Sequence, residues 1–240
     1  MPLISVITVT YNAQLFIEAS INSIIMQDYQ NYEYIIVDGG STDATLEIIN
    51  RNSAKITKII SEKDKGIYDA MNKAIKIASG DYLLFIGADD FLYNNSTLTH
   101  LAEYIKKDRS LDLIVGKIKY TSGKIFKSKF HFKTLLHNTV HHQGALYHKK
   151  LFIDFSYDLQ FALIADYELN LRLYLKKDTL NILFVEDFVS LCTDGGLSRL
   201  QLKKAQTETN LVRKKVLGQR SIFYKWLYDV KFFISSKLLS

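Results

Sequence analysis

Cysteine and proline are nearly absent from this 240-residue chain, which holds one of each, Cys192 and Pro2. A lone cysteine cannot close an internal disulfide and offers no zinc-ligand spacing, which favours a reducing, cytoplasmic compartment. With no internal proline, no repeat and no low-complexity segment, the chain reads as one continuous domain without a linker. Long apolar runs are missing too, because Lys225, Asp229, Lys231 and Lys237 interrupt the most apolar stretch, so no membrane span is expected. Met1-Pro2 leads straight into a strand-like run with no charged n-region or cleavage site, so no signal peptide is expected. What is there, 48% hydrophobic and 23% charged residues, fits a folded globular protein and excludes disordered, collagen-like and coiled-coil classes.

The formal charge is +6, from 31 basic and 25 acidic residues, which raises nucleic-acid binding as a possibility to be tested by position. Residues 1–112 carry 10 Lys/Arg against 15 Asp/Glu, residues 113–196 carry 11 against 8, and residues 197–240 carry 10 against 2. An acidic first half does not suit a protein that grips a phosphate backbone along its length, so no nucleic-acid partner is expected. It suits a metal-using domain with a basic end.

The β-branched run Leu3–Thr10 predicts a buried strand, followed by a helix over Leu15–Gln27 with apolar residues at helical spacing. Strands are expected at Tyr34–Val37, Ile56–Ile60 and Tyr82–Ile86, alternating with helices at Ala44–Asn50 and Gly66–Ser79. This alternation is the α/β pattern of a parallel sheet covered by helices on both faces. Ligands bind such sheets outside the carboxyl ends of the strands. Those ends carry Thr10-Tyr11-Asn12, Asp38-Gly39-Gly40, Ser61-Glu62-Lys63-Asp64 and Ala88-Asp89-Asp90, so the expected crevice is rich in carboxylates. Further on, a helix is expected at Leu98–Lys107, a strand at Asp112–Val115 and a hairpin within Gly116–Lys133 around Gly123. Beyond these come a strand at Gly144–Tyr147, a helix at Ala165–Leu175, strands at Leu180–Val185 and Phe188–Cys192, and helices at Leu200–Val216 and Ile222–Leu238.

Five successive motifs, Ser5–Asn12 (SVITVTYN), Val37–Thr45 (VDGGSTDAT), Asp64–Ala74 (DKGIYDAMNKA), Ala78–Ile86 (ASGDYLLFI) and Ala88-Asp89-Asp90, resemble the signatures of family 2 glycosyltransferases with the GT-A fold. The likeness is close over residues 3–90 and looser over 137–170. It implies an α/β, Rossmann-like fold with a mostly parallel sheet flanked by helices, a domain over 1–199 and C-terminal helices over 200–240. Within the domain, residues 1–112 would form the nucleotide-sugar half and 113–199 the acceptor half.

The resemblance places Thr10, Tyr11, Asn12 and Asp38 around the nucleotide base. A strand-end carboxylate can accept the imide N–H of uracil or thymine, or the N1–H of guanine, and Tyr11 offers a stacking face. It places Lys65, Asp69 and Asn72 along the donor pocket, the last two three apart and on one helix face. Ala88-Asp89-Asp90 stands at the family's Asp-x-Asp position, with Ala88 replacing the first acid. Asp90 is then the expected metal ligand and Asp89 the group nearer ribose or diphosphate, with Mg²⁺ or Mn²⁺ as the divalent cation. Asp166 matches the family's catalytic base, although Ala165 replaces the neighbouring acid, and Glu168 is the fallback. His142 and Gln143 resemble the acceptor-side segment. His137, His141, His142 and His148 do not form an expected zinc site, since adjacent strand histidines point to opposite faces.

The reading is an inverting glycosyltransferase that takes a nucleotide-diphosphate sugar to a glycan or polyprenyl-diphosphate-linked acceptor in bacterial surface polysaccharide or O-antigen assembly. Trp226 and Phe223 among lysines suggest that 200–240 meets the inner face of the cytoplasmic membrane, although a helix docked on the domain has the same composition. A sugar nucleotidyltransferase would need a glycine-rich, basic triphosphate loop, absent from Leu3–Gln14, and a non-catalytic sugar-binding module is the other alternative. A dinucleotide oxidoreductase would need Gly-x-Gly-x-x-Gly after the first strand, where none occurs.

Overall fold

A computed structural model describes residues 1–196, 200–224 and 226. Every residue of strand β1 (Ile4–Thr10) is buried, because β1 lies between β2 (Tyr32–Asp38) and β4 (Tyr82–Gly87), with β3 (Lys58–Ser61) outside β2; all these pairings are parallel. The strands read as unbroken apolar runs because both sheet faces are covered. On one face Ile7, Val9, Ile35, Val37, Leu83 and Phe85 pack with helices α3 (Ile67–Ile77) and α5 (Ala165–Leu175). The alternate residues Val6, Tyr34, Ile36, Leu84 and Ile86 pack with α1 (Ile17–Ile25), α2 (Thr45–Arg51) and α4 (Thr97–Lys107). The period-2 alternation of each strand thus serves two cores.

The second half departs from a parallel sheet. Strand β8 (Ala145–His148) runs antiparallel to both β4 and β6 (Leu113–Tyr120), and β9 (Ile182–Cys192) is parallel to β6. The short strand β5 (Phe91–Leu92) pairs antiparallel with β9, and β7 (Ile125–Lys127) closes a hairpin on β6 through Gly123 at φ +86°. Among the described residues the order β3-β2-β1-β4-β8-β6-β9-β5, with β7 beside β6, makes one nine-stranded mixed sheet. The two strands expected over 180–192 are one, since register shifts opposite Val115–Ile118 absorb Glu186-Asp187, which reads as a break in the sequence.

Helix α5 is buried around most of its circumference, including Tyr167, Leu169, Leu171 and Leu173. It lies between the sheet and helix α6 (Leu202–Leu217), which matches the first expected C-terminal helix. Most of the second expected helix, Ile222–Leu238, falls at 225 and 227–240, outside the described residues. Among the described residues no helix is long and apolar enough to cross a membrane.

Candidate active site

The carboxyl ends of β1, β2 and β3 are joined by hydrogen bonds between their loops. Asn12, with φ +48°, donates its backbone N–H to Ser41 Oγ at 2.8 Å and accepts from the Thr42 N–H on its side-chain oxygen at 2.8 Å. Asn tolerates this left-handed conformation better than most residues. Asn12 therefore latches two loops together, and that is where its polar atoms are engaged. Asp38 is fully buried, and its carboxylate accepts from Ser61 Oγ at 2.7 Å, from the Gly40 and Ser41 N–H groups, and from Ser41 Oγ. It organises the loop directly, so a base in this crevice would have to share or displace one of these donors. Thr10 differs: its Oγ1 is buried and has no hydrogen-bond partner among the described residues. An orphaned hydroxyl at a strand end is a group that a ligand can satisfy. Tyr11 is 62% exposed, leaving a ring face for stacking.

The β3–α3 loop closes against the β2–α2 loop at Gly39, where an added Cβ would lie 2.5 Å from Asp64 Oδ2. A side chain there would have to displace the Asp64 carboxylate. Lys65 donates its backbone N–H to Asp69 Oδ2 at 3.0 Å, and its side chain is exposed. Asp69 also faces Lys73 at 3.7 Å, so it ties the loop before α3 to the helix's first turns. Asn72 is placed differently from the expected donor contact. Its amide nitrogen donates to the Tyr157 carbonyl at 2.8 Å and its oxygen accepts the Tyr157 N–H at 2.9 Å. It pins the 155–160 loop to α3.

Asp89 and Asp90 follow β4 and are brought together with two residues that the sequence did not assign to them. Gln143 Nε2 donates to Asp90 Oδ2 at 3.0 Å, the Thr193 N–H donates to Asp90 Oδ1 at 3.1 Å, and Thr193 Oγ1 donates to Asp89 Oδ2 at 2.7 Å. Gln143, expected on the acceptor side, thus serves the aspartate pair. Burial, with the Asp89 charge beside it, raises the Asp90 carboxyl to about 6 despite these donors. Two carboxylates held this close are a poor arrangement without a cation, and hard oxygen donors are what Mg²⁺ or Mn²⁺ takes. Among the described residues no group of three or more ligating side chains occurs.

Asp166 heads α5, partly exposed. Its Oδ1 accepts from the Tyr68 hydroxyl at 3.0 Å and its Oδ2 from Asn138 Nδ2 at 2.7 Å. Asn138 is itself oriented by Asn170, whose Nδ2 donates to Asn138 Oδ1 at 3.1 Å while its Oδ1 accepts from Tyr147 at 3.1 Å. Burial raises the Asp166 carboxyl to about 6, opposed by the Tyr68 and Asn138 donors. A carboxylate poised near neutrality is suited to accepting a proton. Glu168, the fallback, is buried and ion-paired to Arg172 at 2.8 Å and Lys215 at 2.9 Å, which removes it from that role. His142 is buried with Nε2 2.6 Å from the Tyr157 hydroxyl, and burial, with His141 nearby, lowers it to about 3, so it is neutral.

The two-core α/β sheet with an acidic crevice beyond β1, β2 and β4 is the architecture of the GT-A class of nucleotide-sugar transferases. Residues 5–163 match the sequence profile of glycosyl transferase family 2, and the chain belongs to that family. It is a glycosyltransferase. Its similar proteins include a PGL/p-HBAD biosynthesis glycosyltransferase of Mycobacterium bovis, 35% identical over 179 residues, covering 72% of this chain and 70% of the relative. Staphylococcus aureus TarS 1-349 in complex with UDP-GlcNAc superposes with a TM-score of 0.70 at 24% identity, over 91% of this chain and 67% of that one. In a longer TarS structure the chain spans 43% of the length. Glucosyl-3-phosphoglycerate synthase of Mycobacterium tuberculosis, with Mn²⁺, UDP and phosphoglyceric acid, has a TM-score of 0.64 at 18% identity over 88% of this chain and 78% of that one.

Proposed function

We propose that the protein is an inverting, metal-dependent hexosyl- or N-acetylhexosaminyltransferase that acts in bacterial surface polysaccharide assembly. The observation that carries this reading is the Asp166 carboxylate, raised to about 6 and aimed by Tyr68 and Asn138. In a single displacement the acceptor oxygen attacks the anomeric carbon, the bond from that carbon to the diphosphate oxygen breaks, and the nucleoside diphosphate leaves with the electron pair. The acceptor proton passes to an Asp166 oxygen, and the anomeric configuration inverts. Thr10 and Tyr11 hold the base, with Asp38 setting the loop around it and offering its carboxylate. Asp90 would hold the cation, with Asp89 beside it nearer the ribose or diphosphate, and the ion would supply countercharge to the leaving diphosphate. Lys65 meets phosphate, while Asn12, Asp69 and Asn72 shape the donor pocket from behind.

The TarS and synthase complexes contain UDP-GlcNAc and UDP with Mn²⁺, and this supports a nucleotide-sugar donor and a divalent cation here. The acceptor is a glycan or a lipid-linked sugar at the cytoplasmic membrane face, where the basic C-terminal end would sit. A binding screen across UDP, GDP and dTDP sugars, with and without Mg²⁺ or Mn²⁺, tests the donor site. One nucleotide should bind at least tenfold more tightly with metal than without, and a screen in which none binds contradicts the reading.

A further inference from the structure

Residues 113–153 contain eight lysines and no aspartate or glutamate, a stretch that the donor site does not use apart from Gln143. Within it the protein forms a cleft of about 350 Å³, lined by Phe126, Lys127, His131, Lys133, His137, Asn138 and Thr139. That volume accommodates a small ligand group. The cleft adjoins Asp166 through a shared residue, since the lining Asn138 donates to Asp166 Oδ2 at 2.7 Å.

The lining chemistry is one-sided. Lys127 and Lys133 are exposed ammonium groups. His131 Nδ1 accepts the Lys133 backbone N–H at 3.0 Å, which puts the neutral ring's proton on Nε2, and His137 Nδ1 donates to the Asn138 carbonyl at 3.0 Å. Glu186, an acid whose carboxyl feels Lys127, is exposed and already paired with Lys117 at 3.0 Å. A neutral sugar hydroxyl calls for acceptors as well as donors. Two ammonium groups with no carboxylate among the lining residues suit a multiply charged oxyanion instead.

We propose that this cleft binds a phosphate or diphosphate group carried by the acceptor, and so presents the acceptor hydroxyl to Asp166. The inference rests on Asp166 being the base, and it defines the acceptor class as phosphorylated, either soluble or lipid-linked. Exposed lysines can be neutralised without disturbing the fold, so the variant is the double substitution Lys127→Gln/Lys133→Gln.

Wild type and variant, each saturated with Mg²⁺ and the nucleoside diphosphate that binds best, would be titrated with inorganic phosphate. A second series would use phosphatidylcholine vesicles with and without a polyprenyl phosphate, and both series would be repeated without nucleotide. Saturable binding of at least one phosphate source, weakened tenfold or more in the variant while nucleotide affinity changes less than twofold, is expected. Binding of inorganic phosphate points to a soluble acceptor, and binding confined to polyprenyl phosphate vesicles to a lipid-linked one. The proposal is overturned if wild type binds neither source, if the variant binds as well as wild type, or if the variant loses nucleotide binding in parallel. A wild type that binds no nucleotide contradicts the donor-site reading instead, and the titration without nucleotide still decides the cleft.

Discussion

At the scale of single residues, the chemistry turns on how Asp166 is held. Its carboxyl is raised to about 6 by burial, and the Tyr68 hydroxyl at 3.0 Å works against that by favouring the charged form. A base must be deprotonated to act, so transfer should rise with pH through about 6 and level off above it. In Tyr68→Phe the stabilising donor is gone, and a hydrogen bond to a charged group is worth about 1.5 kcal/mol, or about one pH unit. The acid limb of kcat/KM should therefore move up by about one unit, with most of the lost rate recovered at pH 8; a limb that stays in place contradicts the assignment. The role of Asp166 as base is our proposal, and its place at the head of a helix was legible in the sequence. Tyr68 and Asn138 were not, because they lie 98 and 28 residues away and meet it only after α3 and α5 share one face of the sheet.

At the scale of elements, the N-terminal strands and the loops after them were readable, because a buried parallel strand and its turn are both written locally. The partners of those loops were not. Thr193, at the end of β9, reaches Asp89 across 104 residues, and Gln143 reaches Asp90 across 53, contacts created by β8 and β9 entering the sheet beside β4 and β6. Asn72 misled for the same reason, since its helix face was evident but the Tyr157 backbone that it holds was 85 residues away. Thr193→Val removes the 2.7 Å bond to Asp89 while keeping the shape of the side chain. Partners of this kind are worth about 10–100-fold in metal affinity. Mn²⁺ affinity, read by titration in the presence of nucleotide, should weaken by at least tenfold, and an unchanged affinity would separate β9 from the donor site.

At the scale of the molecule, the net charge of +6 divides by position. Asp38, Asp89 and Asp90 of the acidic first half stand at the carboxyl ends of β2 and β4, while the basic C-terminal segment begins as a packed element. Lys215 of α6 pairs with Glu168 and Asp158, and Glu208 accepts the N–H groups of Ala162 and Leu163 at 3.1 and 2.9 Å. Up to α6, then, the C-terminal segment is docked on the domain. Beyond it Ile222, Phe223 and Trp226 are 73%, 57% and 60% exposed, and we propose that this apolar set meets an anionic bilayer surface. Protein lacking residues 221–240 should co-sediment less with anionic liposomes than the full chain does, and equal partitioning would refute anchoring.

The central claim is that one molecule binds a nucleotide-sugar at the β1, β2 and β4 ends and removes the acceptor proton with Asp166. Asp166→Asn tests it most directly, with transfer and nucleoside diphosphate binding measured on the same preparation. Loss of a general base costs about 10²–10⁴-fold in rate. The account predicts a loss of that size with nucleotide affinity unchanged within about twofold, since binding does not use this carboxylate. Transfer at the wild-type rate would contradict it.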